Sequence, residues 1–388
     1  MALIKSISGI RGTIGGKPGE TLSPLDVVKF TAAYGSWLIE KTGNRKVVIG
    51  RDGRISGPLI QSIVISTLNA LGIDVVDLGL STTPTVEVAV VMEKAGGGII
   101  LTASHNPKEW NALKLLNSKG EFISGPDGKE VLEIAAAENF SFAPVDKLGT
   151  VREDETYLQK HIEAITSLNL VDIAAIKARN FKIVVDAVNS TGAIFVPEML
   201  RALGVQSEHI IVINGEVNGK FAHNPEPLPE NLGELSNMVR KSGADMGIAV
   251  DPDVDRLCFV CEDGSMFGEE YTLVAVADYV LSRQPGNTVS NMSSTRALKD
   301  ITLKHGGQYY PSAVGEVNVV TRMKEVNAVI GGEGNGGIIL PALHYGRDAL
   351  VGIALFLTHL SKAQKSIKQL RRTYPDYFIS KNKLELEP

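Results

Sequence analysis

The chain has 388 residues, of which 44% are apolar, 21% charged and 6% aromatic, enough apolar sequence for more than one hydrophobic core. A formal net charge of −5 excludes the basic footprint of a nucleic-acid or anionic-membrane binder, so any phosphate site must be a local cluster. No apolar run approaches the roughly 20 residues of a membrane span, and the first residues lack the apolar core and cleavage site of a signal peptide, which predicts a cytoplasmic protein.

In chain order, short apolar runs alternate with amphipathic segments. Residues 46–50 (Lys-Val-Val-Ile-Gly) predict a strand and residues 58–68 an amphipathic helix, and the alternation continues down the chain, the pattern of an α/β protein. Polar loops follow the β-like runs at Gly50 to Arg54, at Asp186 to Gly192, at Asp251 to Arg256 and at Gly331 to Gly337. Their recurrence predicts related α/β units in series, with ligands gathering beyond the carboxyl ends of strands, although no side-chain repeat proves duplication. Interruptions near 143–155 and just after the aspartate loop divide the chain into expected units 1–150, 151–255 and 256–370, leaving 371–388 as a linker or lone strand.

Behind the apolar run 98–100 lies Leu101-Thr102-Ala103-Ser104-His105-Asn106-Pro107. On its own residues, Ser104 is either a turn or N-cap hydroxyl or a nucleophile at a strand end. A Ser-His hydrolase is disfavoured, because adjacent Ser and His side chains rarely meet in the geometry a general base needs and no G-x-S-x-G elbow is present. Without a Walker A motif to hold a nucleotide, a donor phosphate must come from the substrate or the enzyme.

Further along, Asp251, Asp253 and Asp255 alternate, and in an extended segment they would share one face. Three crowded carboxylates repel one another, and Mg²⁺, which accepts a few carboxylates together with phosphate or water, removes that conflict. Arg256 beside them is shaped to hold phosphate bidentately. An EF-hand reading fits Glu262 at the twelfth position but puts Arg256 where glycine is required, between strand-like rather than helical flanks. The two cysteines, Cys258 and Cys261, have C-x-x-C spacing, yet on a strand they face opposite sides and no second pair completes a zinc site.

Taken together, these loops resemble those of the α-D-phosphohexomutase family of phosphoglucomutases, phosphomannomutases and phosphoglucosamine mutases, over nearly the whole chain. The T-A-S-H-N-P loop is matched at Thr102 to Pro107, the D-x-D-x-D-R loop at Asp251 to Arg256, and the G-E-x-[SN]-G sugar loop at Gly332 to Gly336. The early I-R-G element is matched at Ile10-Arg11-Gly12, and the lysine after the serine loop by Lys114. The resemblance implies three consecutive α/β/α domains with mixed sheets and an active site in the cleft between them. It implies an isomerase-class phosphotransferase in which phosphoserine at Ser104 donates to a hexose monophosphate and recovers a phosphate from the resulting hexose bisphosphate, which also acts as activator. Mg²⁺ would be held by Ser104, Asp251, Asp253 and Asp255; Lys114, Arg11 and His105 would manage protons and charge; Arg256, Glu333 and Asn335 would bind substrate. Partners are then small hexose phosphates, with neither nucleic acid nor membrane, in a monomer or homodimer.

Two departures from the family pattern stand out. The sugar loop carries Asn335 rather than serine and runs on into His344-Tyr345-Gly346-Arg347-Asp348, a version closer to phosphoglucosamine mutases of archaeal type, so the sugar stays open between glucosamine, glucose and mannose phosphates. No R-x-S-G-T-E-P-like loop of a fourth, phosphate-binding domain is found, so 371–388 is expected to lead toward such a domain and the 388-residue chain to be a weak mutase. Two other readings are weighed: a Mg²⁺-dependent sugar phosphatase with an aspartate nucleophile from the Asp251 loop, which lacks the downstream threonine, and a non-catalytic sugar-phosphate binding protein.

Overall fold

The computed structural model describes residues 2–6 and 9–379, in three sheets of seven, four and four strands. Each sheet holds the same four-strand motif. In the first sheet its strands are Lys46–Arg51, Asp74–Leu80, Gly97–Leu101 and Trp110–Leu116; in the second, Ile183–Asp186, Ile210–Ile213, Met246–Val250 and Leu257–Cys261; in the third, Asn287–Asn291, Tyr309–Ser312, Ala328–Gly332 and Ile338–Ile339. Across every motif the order is second, first, third, fourth, with the first three strands parallel and the fourth antiparallel. The architecture is thus three α/β/α units with mixed sheets. The sequence hides this repeat because parallel strands buried on both faces need only be apolar, not identical.

The first sheet is widened by the antiparallel pair Leu3–Ser6 and Gly9–Thr13 beside Trp110–Leu116, and by Val151–Glu153 at the opposite edge. Helices Pro24–Thr42, Gly57–Ala70 and Gly125–Ala137 bury their apolar sides on one face, and Thr83–Met92 covers the other. The first of these helices is fixed at both ends: Ser23 and Asp26 form a capping box, and Gly43 ends it in the left-handed region at φ 65°.

The expected boundary at 255–256 falls inside the second sheet. Strand Leu257–Cys261 returns antiparallel to Met246–Val250, so the aspartate loop is a hairpin connection rather than the end of a unit. The second and third units moreover share one apolar core, in which Phe259 stacks on Phe356 of helix Ala349–Ala363 with ring centroids 3.8 Å apart and Phe267 stands edge-on to both. Burying such a ring is worth about 1.5–3 kcal/mol, so no polar seam marks the division. Residues 371–379 of the expected linker dock on the third unit: Tyr374 is buried, and the backbone N–H of Tyr377 donates to the Tyr271 hydroxyl at 2.8 Å; residues 380–388 lie outside the described residues.

Cys258 and Cys261 are free, buried and divided between two apolar clusters on opposite faces of their strand. Among the described residues no helix is long and apolar enough to cross a membrane.

Candidate active site

The three loops singled out in the sequence occupy one topological place, the connection from the third strand of each motif to its antiparallel fourth. Two of them hold a non-glycine residue in the left-handed region, Ser104 at φ 48° and the β-branched, fully buried Val254 at φ 61°. Such conformations cost on the order of 1–3 kcal/mol and persist where surrounding contacts impose them. The three aspartates do converge, but not through an extended segment. Val254 N–H donates to the Asp251 carbonyl at 3.1 Å, and this turn folds the loop back so that carboxylate oxygens of Asp251, Asp253 and Asp255 lie within 4.8 Å of one another.

Across the cleft between the first two units, the Ser104 hydroxyl donates to Asp251 Oδ2 at 2.6 Å, joining residues 147 positions apart. The other oxygen of Asp251 accepts from the backbone N–H groups of Asp255 and Arg256 at 3.2 and 3.1 Å. Asp253 Oδ2 accepts from the Thr83 hydroxyl at 2.5 Å and from Lys114 Nζ at 2.7 Å, and Asp255 Oδ2 from Arg347 Nη2 at 2.7 Å. Asp253 Oδ1 and Asp255 Oδ1 are buried without any hydrogen-bond partner. Orphaned carboxylate oxygens beside a serine hydroxyl form an all-oxygen donor set that fits a hard divalent cation such as Mg²⁺.

The charges around this set are strongly shifted. Burial, then the neighbouring Asp255 and Asp253, pushes the Asp251 carboxyl well above its usual range. Burial acts the same way on Asp253, but the Lys114 ammonium outweighs it and holds that carboxyl low; Lys114 in turn is raised, since Asp253 and Asp255 overcome its own burial. Burial and the Arg256 guanidinium lower His105 to about 4, leaving a neutral imidazole at pH 7 whose Nδ1 is buried and unpartnered. Its Nε2 lies 3.9 Å from Glu226 Oε1, which also accepts from Arg256 Nη1 at 3.0 Å.

In the sugar loop, Glu333 Oε1 accepts from Asn291 Nδ2 at 2.8 Å and from the Gly315 N–H at 3.2 Å, while Oε2 accepts from Arg347 Nη1 at 2.9 Å. Asn335 donates to Glu333 Oε2 at 3.4 Å and accepts from the Gly337 N–H at 3.2 Å, so it braces the loop. Arg347 thus joins the sugar loop to the aspartate loop, with Nε on Glu316 at 2.9 Å. Arg11 is less directly engaged. It pairs with Ala112 on the neighbouring strand, on the sheet face that Lys114 occupies two residues on, and its Nε is buried without a partner.

Each of the three loops is held from the end of the first strand of its own motif or from the loop that follows it. Arg54 donates to Asp52 Oδ2 at 3.0 Å and to the carbonyls of Ser104, Asn106, Pro107 and Trp110 at 2.5, 2.7, 2.7 and 2.8 Å. The hydroxyls of Ser190 and Thr191 donate to the Pro252 carbonyl at 2.6 and 2.9 Å, and Asn291 holds Glu333 as described. Arg54 is therefore a clamp on the serine loop, and Arg51, bound to Gln61 at 2.8 Å, is a structural residue too.

All the predicted loops meet, but sequence reasoning missed Thr83, Glu226, Glu316 and Arg347. Thr83 opens helix Thr83–Met92 in a Thr-Pro pair and Glu226 sits in a Pro-Glu-Pro segment, neither of which gives a chemical signal. Arg347 stood in plain view behind a glycine, and only its three carboxylate partners reveal what it does.

Family models describing the phosphoglucomutase/phosphomannomutase α/β/α domains I, II and III match residues 3–142, 159–264 and 268–377. The phosphoglucomutase/phosphomannomutase of Thermococcus kodakarensis is 35% identical over 382 residues, covering 97% of this chain and 82% of that protein. A phosphoglucosamine/phosphogalactosamine mutase of Sulfurisphaera tokodaii is 30% identical over 393 residues, 100% of this chain and 84% of its own length. A solved phosphoglucomutase/phosphomannomutase family protein of Burkholderia thailandensis superposes with a TM-score of 0.84 at 27% identity, over 96% of this chain and 80% of the other.

Proposed function

The chain belongs to the phosphoglucomutase/phosphomannomutase family, and from that premise we propose that it interconverts hexose 6-phosphate and hexose 1-phosphate through a phosphoserine at Ser104 and a hexose bisphosphate. The observation that supports this most is the 2.6 Å contact between the Ser104 hydroxyl and Asp251, beside the two orphaned carboxylate oxygens. In the first half-reaction the bond from phosphorus to Ser104 Oγ breaks and a bond to a sugar hydroxyl oxygen forms; the hydroxyl proton leaves and Oγ gains one. The bisphosphate turns over, and its other phosphate returns to Ser104, so no nucleotide is consumed.

Asp251, Asp253, Asp255 and a phosphoserine oxygen would hold Mg²⁺, which when bound neutralises charge on the phosphoryl group. Neutral His105 has a free nitrogen to accept the hydroxyl proton, while Lys114 and Arg11 supply positive charge to the oxygens that gain it. Arg256 is placed to grip phosphate, and Glu333 to accept hydrogen bonds from sugar hydroxyls or an amine. We place the sugar among glucosamine, glucose and mannose phosphates, with hexose bisphosphate as activator. Turnover by the 388 residues is expected to be slow, since Lys114 and Arg256 are already engaged by Asp253 and Glu226 and must exchange those contacts for substrate oxygens.

The test is to incubate the protein with the 6-phosphates of the three sugars and Mg²⁺, following sugar 1-phosphate and the mass of the Ser104 peptide together. Isomerisation with phosphate on Ser104, both lost in Ser104→Ala, is the expected result. Net phosphate release that survives Ser104→Ala would instead make the chain a phosphatase.

A further inference from the structure

Away from the serine, a second polar cluster is buried where all three units meet. It comprises the buried Thr85 and Glu87 from helix Thr83–Met92, His161 from helix Tyr157–Thr166 and Asp348 at the start of helix Ala349–Ala363, together with the half-buried His344. His161 Nε2 lies 3.0 Å and His344 Nε2 3.2 Å from the same oxygen, Asp348 Oδ2. We propose that His161, His344 and Asp348 are the protein ligands of a second metal site, one for a zinc-type divalent ion that ties the three units together.

The geometry is already that of a ligand set. For bonds of about 2.0–2.1 Å, two ligands of a tetrahedral ion stand about 3.3 Å apart, close to both observed separations, and the three ligand atoms lie within 4.8 Å of one another. The outward-facing nitrogens are engaged as metal-bound imidazoles usually are: His161 Nδ1 with the Thr85 hydroxyl at 2.9 Å, His344 Nδ1 toward Glu87 Oε2 at 3.2 Å. Asp348 Oδ1 is spent on the helix, accepting from the N–H groups of Leu350 and Val351 at 2.8 and 3.2 Å, which leaves Oδ2 for the cluster.

Glu87 is a second carboxylate behind the set, approached by His344 Nδ1 at 3.2 Å. It is 0% exposed, and neither of its oxygens has a well-aligned hydrogen bond, although Gly346 leaves room for them: a Cβ there would stand 1.7 Å from Oε2. An ion on the three ligand atoms would lie beside two buried carboxylates, Asp348 as a ligand and Glu87 behind His344. Two imidazole nitrogens and one carboxylate select zinc over magnesium, whereas the all-oxygen aspartate loop suits magnesium, so the two sites sort their ions by chemistry. The bound ion would act structurally: Thr85 stands two residues beyond Thr83, whose hydroxyl holds Asp253, so fixing this helix fixes one wall of the reacting site.

To test it, the full chain is stripped with chelator, kept in excess Mg²⁺ so that the aspartate loop stays filled, and titrated with Co²⁺ as the spectroscopic probe. The expected result is one equivalent of Co²⁺ with the intense visible bands of a low-coordinate nitrogen-ligated site, displaced by Zn²⁺, with a melting temperature that rises on Zn²⁺ addition. His161→Gln and His344→Gln should lose the bands, a Cys258→Ser/Cys261→Ser double variant should keep them, and Glu87→Gln should weaken Zn²⁺ retention by about 10- to 100-fold. Glu87→Gln leaves every ligand in place, so it decides the matter should a histidine variant fail to fold. No Mg²⁺-resistant Co²⁺ band in the wild type, or unchanged Zn²⁺ retention in Glu87→Gln, would overturn the proposal and leave a hydrogen-bonded junction without metal.

Discussion

Replacing Arg347 by methionine removes a side chain that touches the aspartate loop, the sugar loop and Glu316 together. The residue is 8% exposed, and its guanidinium makes three charge-assisted hydrogen bonds of 2.7, 2.9 and 2.9 Å to Asp255, Glu316 and Glu333. Methionine fills much of the same volume, so the loss is electrostatic: three buried carboxylates are left facing one another. Removing one partner of a buried ion pair costs about 3–5 kcal/mol, and we expect Arg347→Met to lie in that range by urea unfolding followed by far-ultraviolet circular dichroism. Arg347→Lys should recover part of the stability but little activity, because a point charge cannot reproduce three fork-directed contacts. Since a displacement of about 1 Å at a reacting group can cost about 100-fold, and both Asp255 and Glu333 hang on this side chain, kcat/KM should fall by about that factor, with a higher Mg²⁺ requirement. In the double variant Arg347→Met/Glu316→Gln the stability losses should be less than additive by about 0.5–3 kcal/mol. A loss under about 0.5 kcal/mol with unchanged sugar and Mg²⁺ dependence, the behaviour of an ordinary surface change, would refute the reasoning.

Arg54→Lys should destabilise by about 2–6 kcal/mol, since three ammonium donors must replace contacts to five groups and at least two buried carbonyls lose their partner, and urea unfolding measures this directly. Gly336→Ala puts a side chain at φ +84° with its Cβ 2.1 Å from the Leu257 carbonyl; it should raise KM for sugar phosphate in steady-state assays while Ser104 still accepts phosphate. Burial opposes charge on His223, but the hydrogen bond from its Nε2 to Asp186 at 3.0 Å prevails and raises its pKa above 6.5. Its stabilising effect of about 1–2 kcal/mol is therefore complete below pH 6.5 and fades as pH rises through the raised value, so wild type and His223→Gln should differ in unfolding free energy at pH 5.5 and converge at pH 9.

The sequence by itself determined the α/β class and the residues of the three loops, because a hydroxyl before a proline, three alternating aspartates and a glycine-framed Glu-Gly-Asn are local facts carried by adjacent residues. It did not reveal that the loops are topological equivalents, since a buried strand constrains apolarity and not identity, nor that the second sheet continues past 255, since Leu257–Cys261 is as apolar as its partner. The turn at Val254 was equally hidden: a β-branched residue favours extended backbone, and only packing holds it at φ 61°. What the tertiary structure alone decided is which distant groups meet. Ser104 finds Asp251, Arg347 finds three carboxylates, and Glu87 meets His344, because folding brings strand ends and helix ends from separate units to one cleft and one junction, where burial multiplies the value of each charge that is matched and the cost of each that is not.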